Sequence, residues 1–186
     1  MSRTQEERLG MFLSFILRHK PENVGITLDE NGYAVVEDLI IGMNKKNKQA
    51  DQLTLELLEH IVAVDSKKRY QFSVDHKKIR CSQGHSIDVN LGFVAVKPPV
   101  NLYHGTSVKV KDFILEQGVT SRGRQFVHLS KSIDIALEVG SRHGIPIVFQ
   151  LDTQRMLADG IEFYCSENDI WLTSYVEPKY LKQLNL

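Results

Sequence analysis

Two histidines of this chain lie in short runs whose composition suits a polar ligand. His104-Gly105-Thr106 follows the strand-like pair Leu102-Tyr103, and His128 lies in a second strand-like run that ends at Ser130. An imidazole and a hydroxyl offer directed hydrogen bonds, and a glycine allows backbone groups to approach a flat ligand closely. We therefore predict a cleft for a polar cofactor, to which each strand contributes one histidine.

Arginine recurs next to or near histidine where the pattern predicts the end of a helix or strand. Arg18-His19 lies in the last turn of the first predicted helix, Arg124 shortly precedes His128, and Arg142-His143 ends a later helix. A guanidinium binds a phosphate monoester through two parallel N–H donors, and an imidazole adds a directional donor. The pattern indicates phosphate chemistry without a metal. Arg18-His19 could equally be a cationic end of a helix, which the helix dipole favours. Arg142 could equally form a salt bridge on a helix surface.

A further group of basic residues surrounds a predicted β-hairpin. Such a density of cations suits the phosphate backbone of a nucleic acid, because binding releases condensed counterions. Lysines that keep an exposed strand edge from pairing would give the same composition. Gln83-Gly84-His85-Ser86 follows the hairpin as a compact polar turn, which either binds phosphate or only reverses the chain. The basic group consists of Lys67, Lys68, Arg69, Lys77, Lys78 and Arg80, set against Asp65 and Asp75.

The composition excludes several classes of protein. The 186 residues have zero formal net charge, 42% hydrophobic and 25% charged residues, so contacts with nucleic acid must depend on local clusters. Cys81 and Cys165 form neither a disulfide framework nor a zinc motif, which favours a reducing, cytoplasmic setting and no metal site. No apolar run reaches transmembrane length, and we expect no signal peptide.

Residues 1–97 show three helical patterns followed by a hairpin, which is the order of a winged helix-turn-helix domain. Thr4 and Glu7 predict a capping box at the start of the first helix, and Pro21 predicts its end near Lys20. The pair Pro98-Pro99 is the predicted boundary, because two prolines stiffen the chain. The predicted elements are helices at about 4–20, 37–45 and 54–64, extended runs at 25–28 and 33–35, and hairpin strands at 69–74 and 78–81.

Residues 98–186 alternate short strands with short helices, which predicts a compact α+β domain. Gly118 should end a helix over 108–117, and Ser130 should cap a helix from about 132 to 143, whose N-terminal N–H groups could bind an anion. Strands are predicted at 145–151, 161–165 and 170–173, and a short helix at 153–158. No glycine-rich nucleotide-binding motif and no nucleophile elbow occur in the sequence.

Six separated blocks of the chain resemble the RNA 2′-phosphotransferase family, which is best known for tRNA splicing. The resemblance covers nearly the whole chain, with its blocks in the same order. It implies an N-terminal winged-helix lobe for RNA and a C-terminal lobe with the fold of NAD-dependent ADP-ribosyltransferases. The blocks are Leu17-Arg18-His19-Lys20-Pro21, Lys68-Arg69-Tyr70, Ile79-Arg80 with Gln83-Gly84-His85-Ser86, Tyr103-His104-Gly105-Thr106, Arg124-Gln125-Phe126-Val127-His128-Leu129-Ser130 and Ile170-Trp171-Leu172-Thr173.

The resemblance implies a two-step reaction with NAD as co-substrate. First, an internal 2′-phosphate of RNA attacks the ribose C1″ of NAD and expels nicotinamide, which gives an ADP-ribosylated RNA 2′-phosphate. Then the ribose O2″ attacks the phosphorus, and the products are RNA with a 2′-OH and ADP-ribose 1″,2″-cyclic phosphate. The implied partners are NAD and RNA carrying a 2′-phosphate, with no metal and no membrane. We expect a cytoplasmic monomer.

Matched by motif, the resemblance implies that Arg18, His19, Arg69 and Arg124 are catalytic. Arg18 and Arg69 would contact the RNA phosphate, and Arg124 would hold the transferring phosphate in both steps. His19 would orient the phosphate or the O2″ proton. Ile170 stands where relatives of this fold carry a catalytic glutamate, and an acceptor that is already an anion needs no carboxylate base.

Two further groups of residues are implied by the same match. The expected NAD-binding residues surround the nicotinamide riboside, with one more facing the pyrophosphate. The expected RNA contacts, beyond the catalytic Arg18 and Arg69, lie on the hairpin and the turn after it. The NAD set is His104, Gly105, Thr106, His128, Ser130 and Arg142, and the additional RNA contacts are Lys68, Arg80, Gln83 and His85.

Two other functions remain open at this stage. Transfer of ADP-ribose to a terminal phosphate of a nucleic acid, or to a protein, would need the same cofactor cleft but no pocket for an internal 2′-phosphate. A non-enzymatic winged-helix protein that binds nucleic acid would carry a degenerate second lobe. The presence of all the catalytic arginines and His19 argues against the non-enzymatic alternative.

Overall fold

The computed structural model describes residues 4–46 and 52–186, and the chain divides into two compact units. The first unit ends at Gly92 and the second comprises Phe93–Leu186. Both units combine helices with antiparallel strands, so the predicted α+β class is confirmed. None of the helices in these two ranges is long and apolar enough to cross a membrane.

The division between the units lies ahead of the predicted boundary at Pro98. The residues just before the prolines already pack within the second unit. The Val96 N–H donates to the Phe163 carbonyl at 2.8 Å, and the ring of Phe93 lies 5.9 Å from that of Phe126. Composition marks the stiff proline pair, whereas the packing of the preceding segment decides where the unit begins.

The first helix, α1 (Gln5–Arg18), begins at the capping box that the sequence predicts. The Thr4 hydroxyl accepts from the Glu7 N–H at 3.2 Å, and the Glu7 carboxylate accepts from the Thr4 N–H at 2.9 Å. His19 is the C-cap residue, so Arg18-His19 ends the helix as predicted. The buried face of α1 contributes Leu9, Leu13, Ile16 and Leu17 to the first core.

The rest of the first unit places a small sheet against two more helices. The strand order is β1-β3-β2, all antiparallel, and Thr54 caps the third helix as predicted. The extended run expected at 25–28 forms no strand. The winged-helix description of this arrangement remains a prediction. In chain order the elements are a 3₁₀ turn (Pro21–Val24), β1 (Ala34–Val35), α2 (Val36–Lys46), α3 (Leu55–Val64), β2 (Tyr70–Phe72) and β3 (Lys78–Cys81).

The second unit contains three small antiparallel sheets with three helices. Their strand orders are β11-β7-β4, β6-β9-β8 and β10-β5. The short strands β5, β10 and β11 have no counterpart among the predicted elements. The elements are β4 (Asn101–Ser107), α4 (Lys111–Gln117), β5 (Val119–Thr120), β6 (Val127–Leu129), α5 (Ile133–Ser141), β7 (Pro146–Asp152), α6 (Thr153–Ala158), β8 (Tyr164–Cys165), β9 (Trp171–Thr173), β10 (Tyr175–Val176) and β11 (Leu181–Gln183), with 3₁₀ turns at Val108–Val110 and Pro178–Tyr180.

Strand β4 is longer than the sequence indicates, and this corrects the position of His104-Gly105-Thr106. These residues were expected just after a strand, but they lie inside β4 and pair with residues 147–149 of β7. Gly105 also faces α5, because a Cβ there would lie 1.7 Å from the Ala136 carbonyl oxygen. The packing of a helix directly on the strand therefore requires this glycine, without any ligand.

The cap of α5 is also corrected by the structure. Ser132, not Ser130, caps the helix, since its hydroxyl accepts from the Ile135 N–H at 3.3 Å. Ser130 instead pairs with Tyr103 through two backbone hydrogen bonds of 2.8 and 2.9 Å. This bridge joins the end of β6 to β4. Ser130 therefore forms a tertiary strand pairing and not the helix cap that the local sequence predicts.

Candidate functional site

The side chain of Arg18 is packed against the backbone of Gly84 in the turn after the hairpin. A Cβ at Gly84 would lie 3.4 Å from both Cζ and Nε of Arg18, and Gly84 has φ of +91°. The Arg18 carbonyl accepts from the Ser86 N–H at 3.0 Å. The polar turn predicted either to bind phosphate or to reverse the chain thus holds Arg18 in place.

Arg18 and His85 carry buried nitrogen atoms that have no hydrogen-bond partner within residues 4–46 and 52–186. These atoms are Nε and Nη2 of Arg18 and both ring nitrogens of His85. An unpaired buried polar group costs roughly 1–3 kcal/mol, and more when it is charged. Such groups in a native protein therefore indicate a missing partner. Nε and Nη2 form one edge of the guanidinium, and that edge can bind two oxygens of a phosphate.

His85 lies in this cluster as a neutral imidazole. It is 1% exposed, and burial, followed by the charges of Arg18, His19 and Arg80, lowers its pKa to about 4. Near neutral pH His85 therefore adds no positive charge to that of Arg18 and Arg80. An arriving anion would meet a fixed guanidinium beside an uncharged ring.

His19 is placed beside the same turn by its own contacts. Its Nδ1 lies 2.9 Å from the Ser86 hydroxyl, and its ring centroid lies 6.0 Å from that of Phe15. Since Ser86 also bonds the Arg18 carbonyl, one serine connects both residues of the Arg18-His19 pair to the turn. The structure thus brings Arg18, His19 and His85 together within the first unit.

Arg69 is held by a different device, a carboxylate at the end of α3. Asp65 accepts from the Arg69 backbone N–H at 2.6 Å and from Arg69 Nη1 at 2.7 Å. The Asp65 side chain is 7% exposed and that of Arg69 is 35% exposed. The buried carboxylate fixes one corner of the guanidinium, and the remainder reaches the surface. Lys68, just before it, is exposed and has φ of +45°.

Arg80 makes protein contacts that the sequence does not reveal. Its Nε and Nη2 donate to the Gln71 side-chain oxygen at 3.1 and 3.0 Å, and Nη1 donates to the Asn31 carbonyl at 3.3 Å. Its guanidinium also lies over the Tyr33 ring, 4.6 Å from the centroid. Arg80 therefore anchors the sheet of the first unit, and its contact with RNA stays a prediction. Gln83 is half-buried in the adjoining turn.

In the second unit, the strand pairing brings His104 and His128 together. His104 Nδ1 lies 3.2 Å from the His128 carbonyl, and His128 Nδ1 lies 3.1 Å from the Phe126 carbonyl. A carbonyl only accepts, so Nδ1 carries the proton in both rings. Burial, and the charge of Arg122 after it, lowers the pKa of His104 against the opposing effect of its backbone bond. A neutral His104 keeps Nε2 as an acceptor.

The side chains of β4 alternate between two faces. His104 and Thr106 share one face, whereas Gly105 lies on the other, beneath α5. His104 and Thr106 are both half-buried, and Ser130 is half-buried at the bridge to β6. His104, Thr106, His128 and Ser130 are therefore grouped around β4 and β6, while Gly105 contributes through helix packing.

The two remaining arginines of the predicted site lie on the surface of the second unit. Arg142 pairs with the Glu138 carboxylate one turn earlier on α5, which matches the salt-bridge alternative drawn from the sequence. Arg124 is exposed in the loop before β6, where its N–H donates to the Ser121 carbonyl at 3.1 Å. The contact of Arg142 with a pyrophosphate stays a prediction.

Sequence reasoning missed two groups that the structure brings into view. Asp65 was counted only as a charge that offsets the basic hairpin, although an acid four positions before an arginine is a known pairing distance. Trp171 has a buried Nε1 without a hydrogen-bond partner in the described part of the chain, next to Leu129 across β9 and β6. No sequence signal distinguishes it from an ordinary core tryptophan.

The comparisons with known proteins agree on one family. The family model described as RNA 2′-phosphotransferase, Tpt1/KptA family, matches residues 4–175. A Fusobacterium nucleatum protein is 46% identical over 94% of this chain and 97% of its own length. A Flavobacterium johnsoniae protein is 43% identical over 98% of both chains, and one from Pseudomonas fluorescens is 41% identical over 99% of this chain and its own full length. Each of the three is named a probable RNA 2′-phosphotransferase.

Proposed function

Because the chain belongs to the RNA 2′-phosphotransferase, Tpt1/KptA family, we propose that it removes an internal 2′-phosphate from RNA by transferring it to NAD. RNA is the donor of the phosphate, and NAD is a second substrate. The first unit, with its three helices and hairpin, would bind the RNA as a winged-helix lobe. The second unit would bind NAD as an ADP-ribosyltransferase-like lobe.

The observation that carries the proposal is the unpaired edge of Arg18. Nε and Nη2 are buried without a partner in the described residues, and the guanidinium lies against Gly84. A phosphate monoester is dianionic and offers two oxygens at the spacing of that edge. These donors are already removed from water, so a phosphate that reaches this edge gains their hydrogen bonds without the cost of desolvating the guanidinium. His19 and a neutral His85 lie beside the same guanidinium.

These residues have a defined task in the proposed chemistry. A phosphate oxygen must be oriented toward the ribose C1″ of NAD, while the bond from that carbon to nicotinamide breaks. Arg18 and Arg69 would hold the phosphate in one orientation, which is the main contribution that positioning can make. The nucleophile is already an anion, so no general base is needed in this step. Ile170, rather than a carboxylate, precedes β9.

The second step moves a phosphate and a proton. The ribose O2″ forms a bond to phosphorus and loses its proton, the bond from phosphorus to the RNA O2′ breaks, and O2′ gains a proton. Negative charge increases on the phosphate oxygens, which favours cations close to them. Arg124 would supply one of these cations. His19, whose ring Nδ1 is already engaged with Ser86, would orient the O2″ proton.

The second unit offers a set of uncharged groups that fits the nicotinamide riboside of NAD. A neutral His104 has Nε2 as an acceptor, Thr106 brings a hydroxyl on the same face, and Trp171 has an unpaired buried Nε1 among the described residues. Neutral donors and acceptors suit an amide and ribose hydroxyls. NAD supplies the ribose carbon that accepts the phosphate and a leaving group that departs as nicotinamide.

The proposal is tested with a short RNA that carries one internal 2′-phosphate. The protein is incubated with this RNA, with and without NAD, and the product masses are measured. We expect dephosphorylated RNA and ADP-ribose cyclic phosphate only when NAD is present. Unchanged RNA with NAD would contradict the proposal. A stable ADP-ribose adduct on an RNA with a 5′-phosphate, and none of the cyclic product, would favour transfer to terminal phosphates instead.

A further inference from the structure

Asp65 has a side chain that is 7% exposed, and its shortest contacts are with Arg69. Oδ2 accepts from the Arg69 N–H at 2.6 Å, and Oδ1 accepts from Arg69 Nη1 at 2.7 Å. Its carbonyl oxygen accepts from the Lys68 N–H at 2.8 Å. One residue at the end of α3 therefore fixes both the backbone and the guanidinium of Arg69.

The surroundings of this pair favour a positioning role over simple charge balance. Asp65 is nearly inaccessible, with 7% of its side chain exposed, so its charge must be compensated inside the protein. Arg69 is 35% exposed, and a single corner of its guanidinium is bound to Asp65. The backbone passes through Lys68 at φ of +45°, an uncommon conformation for a lysine. Asp65 accepts from the backbone N–H groups of both Lys68 and Arg69, and these two bonds stabilise the conformation of the turn.

We propose that Asp65 is a positioning residue which presets the Arg69 guanidinium to receive the 2′-phosphate of RNA. The inference rests on the proposed function, because it assumes that Arg69 contacts that phosphate. Asp65 itself touches neither substrate. By binding Nη1 it holds a guanidinium whose side chain is 35% exposed, and it removes the rotamer freedom that a long side chain would lose on binding.

Two variants separate this role from simple stabilisation of the turn. Asp65→Asn keeps the size of the side chain and an oxygen for the Arg69 N–H, but loses the charge opposite Nη1. Asp65→Ser keeps a hydroxyl that can accept within the turn, but cannot reach the guanidinium in the same way. Asp75→Asn is the matched control, since the hydrogen bonds that Asp75 accepts on the same hairpin come from Ser73 and Lys77.

The test measures turnover and binding with the full chain. Turnover uses the internally 2′-phosphorylated RNA with NAD, and binding compares that RNA with an identical RNA bearing a 2′-OH. Misplacing a positioned group costs up to about 100-fold in rate, so we expect each Asp65 variant to lose roughly 10-fold or more in kcat/KM. The preference for phosphorylated RNA should shrink in parallel, and Asp75→Asn should match the wild type. Absence of turnover by the wild type would contradict the proposed function instead.

A double-mutant comparison distinguishes action through Arg69 from a general effect. If Asp65 acts through Arg69, then adding Asp65→Asn to Arg69→Ala should not weaken binding of the phosphorylated RNA further. Additive losses would overturn the inference, and so would full activity of a folded Asp65→Asn or Asp65→Ser protein. Thermal unfolding of each variant shows whether it is folded. If Asp65→Asn does not fold, Asp65→Ser and the Arg69→Ala background decide the question.

Discussion

Gly84 faces Arg18 so closely that any side chain at position 84 would contact the guanidinium, with the first added carbon 3.4 Å from Cζ. Its φ of +91° adds a backbone reason for the same residue. The residue that closes the turn therefore also lies against the guanidinium that we propose to bind the phosphate. Sequence alone shows a glycine in a polar turn, and the structure shows which side chain depends on it.

The first prediction concerns Gly84→Ala. The positive φ strains the turn, and the added carbon would lie in contact with Arg18, so a shift of the turn moves the guanidinium with it. Activity toward 2′-phosphorylated RNA should therefore fall by roughly 10-fold or more, as misplacement of a bound group does. The control is Gly25→Ala, which has a similar φ of +74° but no atom within 4 Å of the added carbon. Each variant should lose about 1 kcal/mol of stability from backbone strain. Equal activity of the two variants would show that Gly84 has no role beyond the turn.

The second prediction concerns the acid stability of the first unit. The pKa of His85 in the folded chain, about 4, lies below its ordinary value of 6.5. Between these values the unfolded chain binds a proton that the folded chain does not, so stability falls as pH falls through this window. The maximum contribution is about 3 kcal/mol at the acidic end.

Denaturant unfolding of the wild type and of His85→Gln between pH 7 and pH 4 measures the contribution of His85 to the free energy of unfolding. The variant should lose less stability on acidification than the wild type. His60→Gln is the control, because His60 is an exposed histidine beside Glu6. If the free energy of unfolding falls equally with pH in the wild type and in His85→Gln, another group causes the loss of stability in acid.

The third prediction concerns Gly105. A Cβ at this position would lie 1.7 Å from the Ala136 carbonyl oxygen and 2.8 Å from its Cα, so α5 must move away from β4. Overpacking of this kind typically costs about 1–3 kcal/mol, and a backbone clash places Gly105→Ala at the upper end or beyond. Thermal unfolding should show a large loss for this variant. Gly123→Ala, which meets open space, should unfold like the wild type.

The fourth prediction separates the two substrates. His104→Asn removes the Nε2 acceptor but keeps an amide that can donate to the His128 carbonyl, so the strand pairing should survive. If His104 binds the nicotinamide riboside, KM for NAD should rise by roughly 10-fold, the loss of one hydrogen bond to a buried ligand group. KM for the RNA should remain near the wild-type value. A rise in KM for RNA alone would contradict the assignment of His104 to NAD.

Elements with local signals were predicted from the sequence. The capping box of Thr4 and Glu7, the Thr54 cap and the short helix at Thr153–Ala158 need only their own residues to form, and the structure has each of them. The hairpin was predicted too, because its alternating pattern and polar turn are adjacent in the chain. In each case the deciding contacts lie within a few residues.

Features that depend on distant partners were predicted poorly. The full length of β4 comes from its pairing with β7. Ser130 forms a bridge with Tyr103 and does not cap the helix as expected. The chemical types at Arg18 and Arg69 indicated phosphate binding, but their supports did not follow from local pattern. Gly84 lies against Arg18, and Asp65 binds Arg69, through contacts that only the folded chain creates.

The most direct test of the central claim is the affinity of Arg18→Lys for two RNAs that differ only in one internal 2′-phosphate. Lysine keeps the positive charge but lacks the edge formed by Nε and Nη2. Anisotropy titrations of the wild type should show tighter binding of the phosphorylated RNA, and Arg18→Lys should lose most of that preference while binding the 2′-OH RNA as before. Arg155→Lys, changed at a ring contact with Tyr180 in the second unit, is the control. An unchanged preference in Arg18→Lys would contradict the claim that the unpaired edge of Arg18 receives the phosphate.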